Sequence, residues 1–361
     1  MAILKKLYDD MNSQLDRKAE PHRIRWWHII LLLALIAGTV YIIKTSPNHS
    51  QGEESSTVYL KCEGAVFGTF YHITYQYATD LQDSIVDVLH EVDNSLSPFN
   101  KSSIITAINN GTSDSTNHMF REVFTLAKTI SAETDGAFDI TVAPLVNAWG
   151  FGFKNKETVT ESLIDTLLQH VGIDKVSLQE GRLLKTDNAV MLDCSAIAKG
   201  YGVDAVGRML EAKHISNYMV EIGGEVRVRG SNPQGKPWSI GIITPTPDPT
   251  GQNNEVEEIL HITDISMATS GNYRNFYIEG NKRYAHTIDP RTGYPVQHSI
   301  LSSTVLATDC TVADAYATAF MVLGLDSAKT ILNTHPELQA YFIYADEDGM
   351  NATWHTDNLL K

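Results

Sequence analysis

LDCSAIAKGYGVDAVGRMLEAKHISNYMVEIGGEVRVRG, residues Leu192 to Gly230, joins the two periodicities on which the architecture turns. From Ala198 to Ala212 the apolar positions recur at helical spacing, and from Met219 to Val228 they alternate with the period of a strand. A further alternating run, Trp238–Ile243 (WSIGII), follows downstream, and Phe70–Gln76 (FYHITYQ) reads as a strand upstream. Leu81–Leu96, His118–Thr134 and Glu161–Val171 read as helices; another runs from about Ala313 to Leu323, with Gly324 at its C-cap. The two kinds of element are interspersed without regular βαβ alternation, which predicts α+β rather than a doubly wound parallel sheet. No sharp break in composition divides the chain beyond Val58, so residues 58–361 are expected to form one domain.

Ahead of that domain runs WWHIILLLALIAGTVYII, Trp26 to Ile43, uncharged and close to the ~20 residues of a membrane-spanning helix. Trp26, Trp27 and Tyr41 stand at its ends, where amphipathic rings favour the headgroup layer. Lys5, Lys6, Arg17, Lys18, Arg23 and Arg25 precede it and only Lys44 closely follows. The positive-inside bias therefore predicts a cytoplasmic tail (1–25), an anchor (26–43), a polar linker (44–57) and an extracytoplasmic domain. A cleaved signal peptide is the rival reading, but no A-x-A-like site follows the apolar run. The net charge of -15 argues against a nucleic-acid partner. It also means that any phosphate-bearing ligand needs local compensation, from a cation, backbone amides or both. Cys62, Cys194 and Cys310 show no zinc-like spacing and read as small buried residues.

Five stretches carry the chemistry, each with a bland alternative. GAFDITVAPLVNAWGFG (Gly136–Gly152) suggests a backbone-built pocket, or merely a loop turning corners. LDCSAIAKGYGVDAV (Leu192–Val206) puts Asp193 before a small-residue helix start carrying Lys199, where amides suit anionic groups. IGGEVRVRG (Ile222–Gly230) is a strand opened by a glycine pair, consistent with a bulge or close packing. Met267–Val296 contains Ser270-Gly271, Tyr273-Arg274 and His286, then the rigid turn Asp289-Pro290-Arg291-Thr292-Gly293. DCTVADAYATAFMVLG (Asp309–Gly324) sets Asp314 and Thr318 four apart on an apolar helix, hence on one face. Burial of such groups without partners is costly; hard oxygen ligands for Mg²⁺ would explain them, as would a backbone N–H partner for the Asp.

In this order the stretches resemble the ApbE family of FAD:protein FMN transferases, over about Gly64 to Gly324. VFGTFYHITY (Val66–Tyr75) is similar to the family's opening strand, with Phe67 where Met is usual. In SPFNKSSIITAIN (Ser97–Asn109), Phe99 replaces a Tyr and Ile104 a Glu. The resemblance implies a single mixed α/β domain that binds FAD in a bent form. Its FAD contacts would fall at Phe67, Phe99, Ala137, Phe138, Asp139, Asp193 and Lys199, and around His286 and Ile288. It implies Mg²⁺ held by the Ala196 main-chain carbonyl and the side chains of Asp314 and Thr318. The partner implied is an acceptor protein, a membrane redox subunit with a motif similar to D-x-x-[ST]-G-A-T.

Splitting the FAD diphosphate puts charge on departing AMP, which Mg²⁺ can neutralise. A Thr or Ser hydroxyl is a poor nucleophile, and His286 offers as base an imidazole, a group whose free pKa lies near ~6.5. Lys199 is expected to offset phosphate charge, and Asp139 and Asp193 to accept hydrogen bonds from ring or ribose. Hydrolysis of FAD to FMN and AMP, or flavin storage without catalysis, are the alternatives.

Overall fold

β1 (Tyr59–Val66) and β2 (Thr69–Gln76) pair through a two-residue turn, Phe67-Gly68, in which both residues have positive φ, 51° and 75°. That is the backbone twist a tight hairpin needs, and it holds a bulky ring in a conformation costing about 1–3 kcal/mol. The computed structural model describes residues 58–154, 156–245, 255–272, 276–279, 282–297 and 299–359, and Thr57–Lys361 clusters as one compact unit. The apolar run of residues 26–43, and the tail and linker around it, lie outside the described residues. Among the described residues, no helix is long and apolar enough to cross a membrane.

The chain continues through α1 (Gln82–Leu96), α2 (Ile104–Asn109), α3 (His118–Glu133), α4 (Ala143–Ala148) and α5 (Glu161–Leu168). Then come β3 (Val176–Gln179), β4 (Arg182–Lys185), α6 (Ala198–Ala212), β5 (Tyr218–Ile222), β6 (Glu225–Arg229), β7 (Trp238–Ile243) and β8 (Val256–Ile262). The last part holds β9 (Ile265–Gly271), β10 (Phe276–Glu279), β11 (Lys282–Ala285), β12 (Ile300–Ala307), α7 (Cys310–Leu323), α8 (Leu325–Thr334), β13 (Gln339–Ala345) and β14 (Asn351–His355). Eight strands form one sheet in the order β1-β2-β5-β6-β9-β12-β13-β14, every neighbouring pair antiparallel. An antiparallel sheet with helices packed against it is the expected α+β class.

One expectation is corrected. The run Met219–Val228 is not a single strand but the β5–β6 hairpin, with Ile222 opposite Glu225 across Gly223 and Gly224. Both glycines have positive φ, 61° and 103°, so the pair reverses the chain rather than bulging it. Helix boundaries agree within three residues: Thr134 is the C-cap of α3, and α5 stops at Leu168 rather than Val171.

The largest core lies between the sheet and α3, α6 and α7, with Phe120, Phe320 and Phe342 fully buried. A second gathers Ile73, Tyr75, Val220 and Ile222 from β2 and β5 against α1 and α6. α7 is buried over almost its whole length, which explains why its sequence is apolar nearly all round.

Candidate active site

α6 and α7 lie so close that each caps the other. The start of α6 has no side-chain cap of its own, but its third amide, Gly200 N–H, donates to Asp314 Oδ2 of α7 at 2.9 Å. Conversely, Asp204 of α6 accepts from Cys310 N (3.0 Å), Thr311 N (2.8 Å) and the Thr311 hydroxyl (2.6 Å) at the start of α7. The approach depends on Gly200: a Cβ there would lie 2.4 Å from the Cys310 carbonyl oxygen. Gly202 makes the neighbouring gap, since a Cβ would meet Phe67 Cε2 at 2.7 Å. The glycines of KGYG thus bring a carboxylate to a helix start and seat an aromatic ring beside it.

Beside this junction opens a cavity of about 1000 Å³. All twelve residues singled out from sequence line it: Phe67, Phe99, Ala137, Phe138, Asp139, Asp193, Ala196, Lys199, His286, Ile288, Asp314 and Thr318. Phe99 is 62% exposed at the rim, its ring edge-to-face with Phe153 at 6.2 Å. His286 is partly buried and meets Phe151 edge-to-face at 6.4 Å. The turn after it is braced on several sides. Asp289 accepts from Arg291 N, Nε and Nη2, each at 2.9 Å, and Trp149 Nε1 donates to Gly293 O at 2.8 Å. Tyr273 and Arg274 lie outside the described residues.

The acidic residues differ in what they are free to do. Asp139 spends both oxygens on the chain around it: Oδ1 accepts from Thr141 N and Oγ1 on its own loop, and Oδ2 from Ile173 N, beyond α5. Asp193 Oδ1 accepts from Ser195 N and Oγ. Both carboxyls are pushed above the usual range by burial. These bonds tie both carboxyls to the cavity wall. Thr318 Oγ1 shares a 3.0 Å hydrogen bond with Ser270 Oγ.

Sequence reasoning missed Glu225 and Arg227. Glu225 is 1% exposed and its Oε1 accepts from Lys199 Nζ, so the ammonium expected to face phosphate already has a carboxylate partner. Arg227, two residues along the same face of β6, binds Asp204 at 2.7 Å, Glu211 and Asp309 at 3.1 Å. The available signal was E-V-R-V-R, which reads equally as a solvated face.

The donors fit a hard divalent cation. Among the described residues no group of three or more His, Cys, Asp or Glu is placed to hold a metal, so a cage of the zinc type is absent there. What the cavity wall offers instead is one deeply buried carboxylate, Asp314, a hydroxyl, Thr318, and a loop containing Ala196. Mg²⁺ commonly takes one or two protein carboxylates and keeps waters for the rest. Burial pushes the Asp314 carboxyl up despite Lys199 and Gly200 N–H, the condition in which an added cation stabilises the ionised form most.

Known proteins resemble this chain throughout the domain. The model of the ApbE family matches residues 67–342. The FAD:protein FMN transferase of Haemophilus influenzae is 37% identical over 82% of this chain and 89% of its own length. That of Escherichia coli is 33% identical over 89% and 94%. The solved structure of the flavin transferase ApbE from Vibrio cholerae superposes with a TM-score of 0.75 at 33% identity, covering 84% of this chain and 98% of that one.

Proposed function

The chain belongs to the ApbE family, and on that premise we propose that it is an FAD:protein FMN transferase. In this reading FMN passes from FAD to a Thr or Ser hydroxyl of an acceptor protein, forming a phosphoester and releasing AMP. The supporting observation is the single cavity into which residues of separate motifs converge beside the buried Asp314. Phe67, Ala137 and Phe138 supply apolar and backbone surface suited to a flavin ring, and Phe99 covers it at the rim. Lys199 faces the diphosphate. Asp314, Thr318 and the Ala196 carbonyl would hold Mg²⁺, which would supply charge neutralisation at the diphosphate and on the departing AMP. Thr318 is oriented for this by Ser270. His286 takes the acceptor hydroxyl's proton on an imidazole nitrogen, held in place by the braced Asp289–Gly293 turn.

The domain is proposed to work outside the cytoplasmic membrane, tethered by residues 26–43 and serving a membrane redox subunit; the apolar run and its basic flank support that placement. The test is incubation with FAD, Mg²⁺ and a peptide carrying D-x-x-[ST]-G-A-T, followed by mass measurement of the peptide. An FMN adduct is expected. AMP release without an adduct would identify a hydrolase, and neither product a storage protein.

A further inference from the structure

Lys199 is unusual for its position. It is the second residue of α6, where the helix dipole favours anions over cations. Its side chain is only 31% exposed, so it has also lost most of its water. The groups facing it are Glu225 from β6 and Asp314 and Cys310 from α7. Of these, Glu225 makes the direct bond.

Glu225 is unusual in turn. It is buried to 1% exposure, and among the described residues its Oε2 has no hydrogen-bond partner. A carboxylate oxygen left bare in the interior is costly, and an apolar pair of similar volume would commonly be as stable or more so. The backbone around it is built to hold it still. Gly223 N–H donates to Phe70 O at 3.0 Å and Gly224 N–H to Glu221 Oε1 at 2.7 Å, fixing the turn from which Glu225 departs. A Cβ on Gly223 would lie 2.7 Å from Thr69 Cγ2, so only glycine lets this turn pack beside the Phe67-Gly68 turn at the cavity wall. Lys199 lines the cavity; Glu225 stands behind it.

We infer that Glu225 is a positioning residue: it holds the Lys199 ammonium against the cavity wall where the donor's diphosphate lies, without touching the substrate itself. The inference rests on the cavity being the FAD site. It explains why a buried pair with an unsatisfied oxygen is kept where a neutral pair would be more stable. An isolated ammonium at a helix start is free to swing toward Asp314; tied from behind by Glu225, it presents its remaining N–H donors forward.

The test titrates FAD, read by flavin fluorescence in the presence of Mg²⁺, into the full chain and its variants Glu225→Gln, Glu225→Asp, Lys199→Met and the double variant Lys199→Met/Glu225→Gln. Glu225→Gln should weaken FAD binding about 10-fold, the scale of one charge-assisted hydrogen bond, and Glu225→Asp by less. Lys199→Met should weaken it at least as much and lower the thermal midpoint, because it strands the Glu225 charge. The double variant should regain the thermal midpoint yet bind FAD no better than Lys199→Met. Stability and affinity then part company, which a purely structural pair cannot produce. Affinity losses that add in the double variant, or that track the thermal midpoint, overturn the inference. So does a double variant that binds FAD like the wild type, a result that remains readable if Glu225→Gln alone does not fold. A wild-type chain that fails to bind FAD removes the reading of the cavity instead.

Discussion

Replacing Asp204 tests whether the reciprocal capping of α6 and α7 holds the site together. Asp204→Ala deletes the acceptor for two orphan amides of α7, Cys310 N and Thr311 N, for the Thr311 hydroxyl, and for Arg227 Nη1 at 2.7 Å. Loss of a cap costs about 1 kcal/mol and breaking a buried ion pair about 3–5 kcal/mol. Arg227 keeps Glu211 and Asp309 and remains 15% exposed, so the second figure belongs at its lower end. The same carboxylate makes all four bonds, so the costs are not additive. We expect a loss of about 3–4 kcal/mol, or roughly 10 °C in thermal midpoint for a domain of this size. Asp204→Asn retains one acceptor oxygen and should lose about half as much. Urea unfolding with calorimetry measures both. A loss below about 1 kcal/mol for the alanine variant, or an asparagine variant worse than the alanine one, would refute the reasoning.

Four other outcomes are expected. Asp314→Ala should abolish Mg²⁺-dependent AMP release while circular dichroism stays native, and Thr318→Ala should be milder; full Mg²⁺-dependent activity in the first variant would remove the metal assignment. His286→Ala should bind FAD almost normally, lose transfer by ~10²–10⁴-fold, and recover partly at high pH. Lost FAD affinity with a flat pH response would make His286 a binding residue. The His170 hydrogen bond at 2.5 Å holds the Asp187 carboxyl below its ordinary range, a stabilisation present above the unfolded carboxylate pKa and lost as pH falls through the folded one. Asp187→Asn should therefore lower the thermal midpoint near neutrality and make progressively less difference as the pH falls through the folded carboxyl's pKa. Protease added to intact spheroplasts should digest the domain and spare residues 1–25; protection of the domain would overturn its placement outside the membrane.

Helices α1, α3, α5, α6 and α7 were legible because each carries its own periodicity: α6 runs from Ala198 to Ala212 as its apolar spacing says, and α7 ends at a Gly324 with φ 79°. The β5–β6 hairpin was not, although its signal was printed in the chain. Two residues between alternating runs are the commonest hairpin connection, and a Gly-Gly pair suits the positive φ values it needs. Reading the alternation straight through Gly223 and Gly224 gave one strand where the chain folds back, and so hid that Glu225 and Arg227 face α6. The lining of the cavity was legible through its ordered motifs. The groups behind that lining were not, because each is matched by a residue far along the chain: Glu225 to Lys199 and Arg227 to Asp204. A local reading sees charges on a strand and assumes water beyond them.

The acidity of the cavity wall is a physical reason for the divalent cation proposed there. Asp93, Asp139, Asp193 and Asp314 line the cavity, and Lys199 is the only Lys or Arg among the lining residues described. Its charge is already opposed by Glu225 behind it. An FAD diphosphate entering this wall adds two more negative charges. At an effective dielectric constant near 20, each like pair about 5 Å apart repels by roughly 3 kcal/mol. Backbone amides at the start of α6 offset little of this, because Ala198 N–H is spent on Cys194 O and Gly200 N–H on Asp314. A single ammonium shared between Glu225 and a diphosphate cannot balance the rest, whereas a dication at Asp314 reverses the sign of the nearest charge. FAD affinity should therefore depend on Mg²⁺ even when no acceptor is present, and a titration without acceptor measures it directly. Equal affinity with Mg²⁺ and with excess chelator would show that the acidic wall is compensated from within the protein, and the role given to Asp314 would fall.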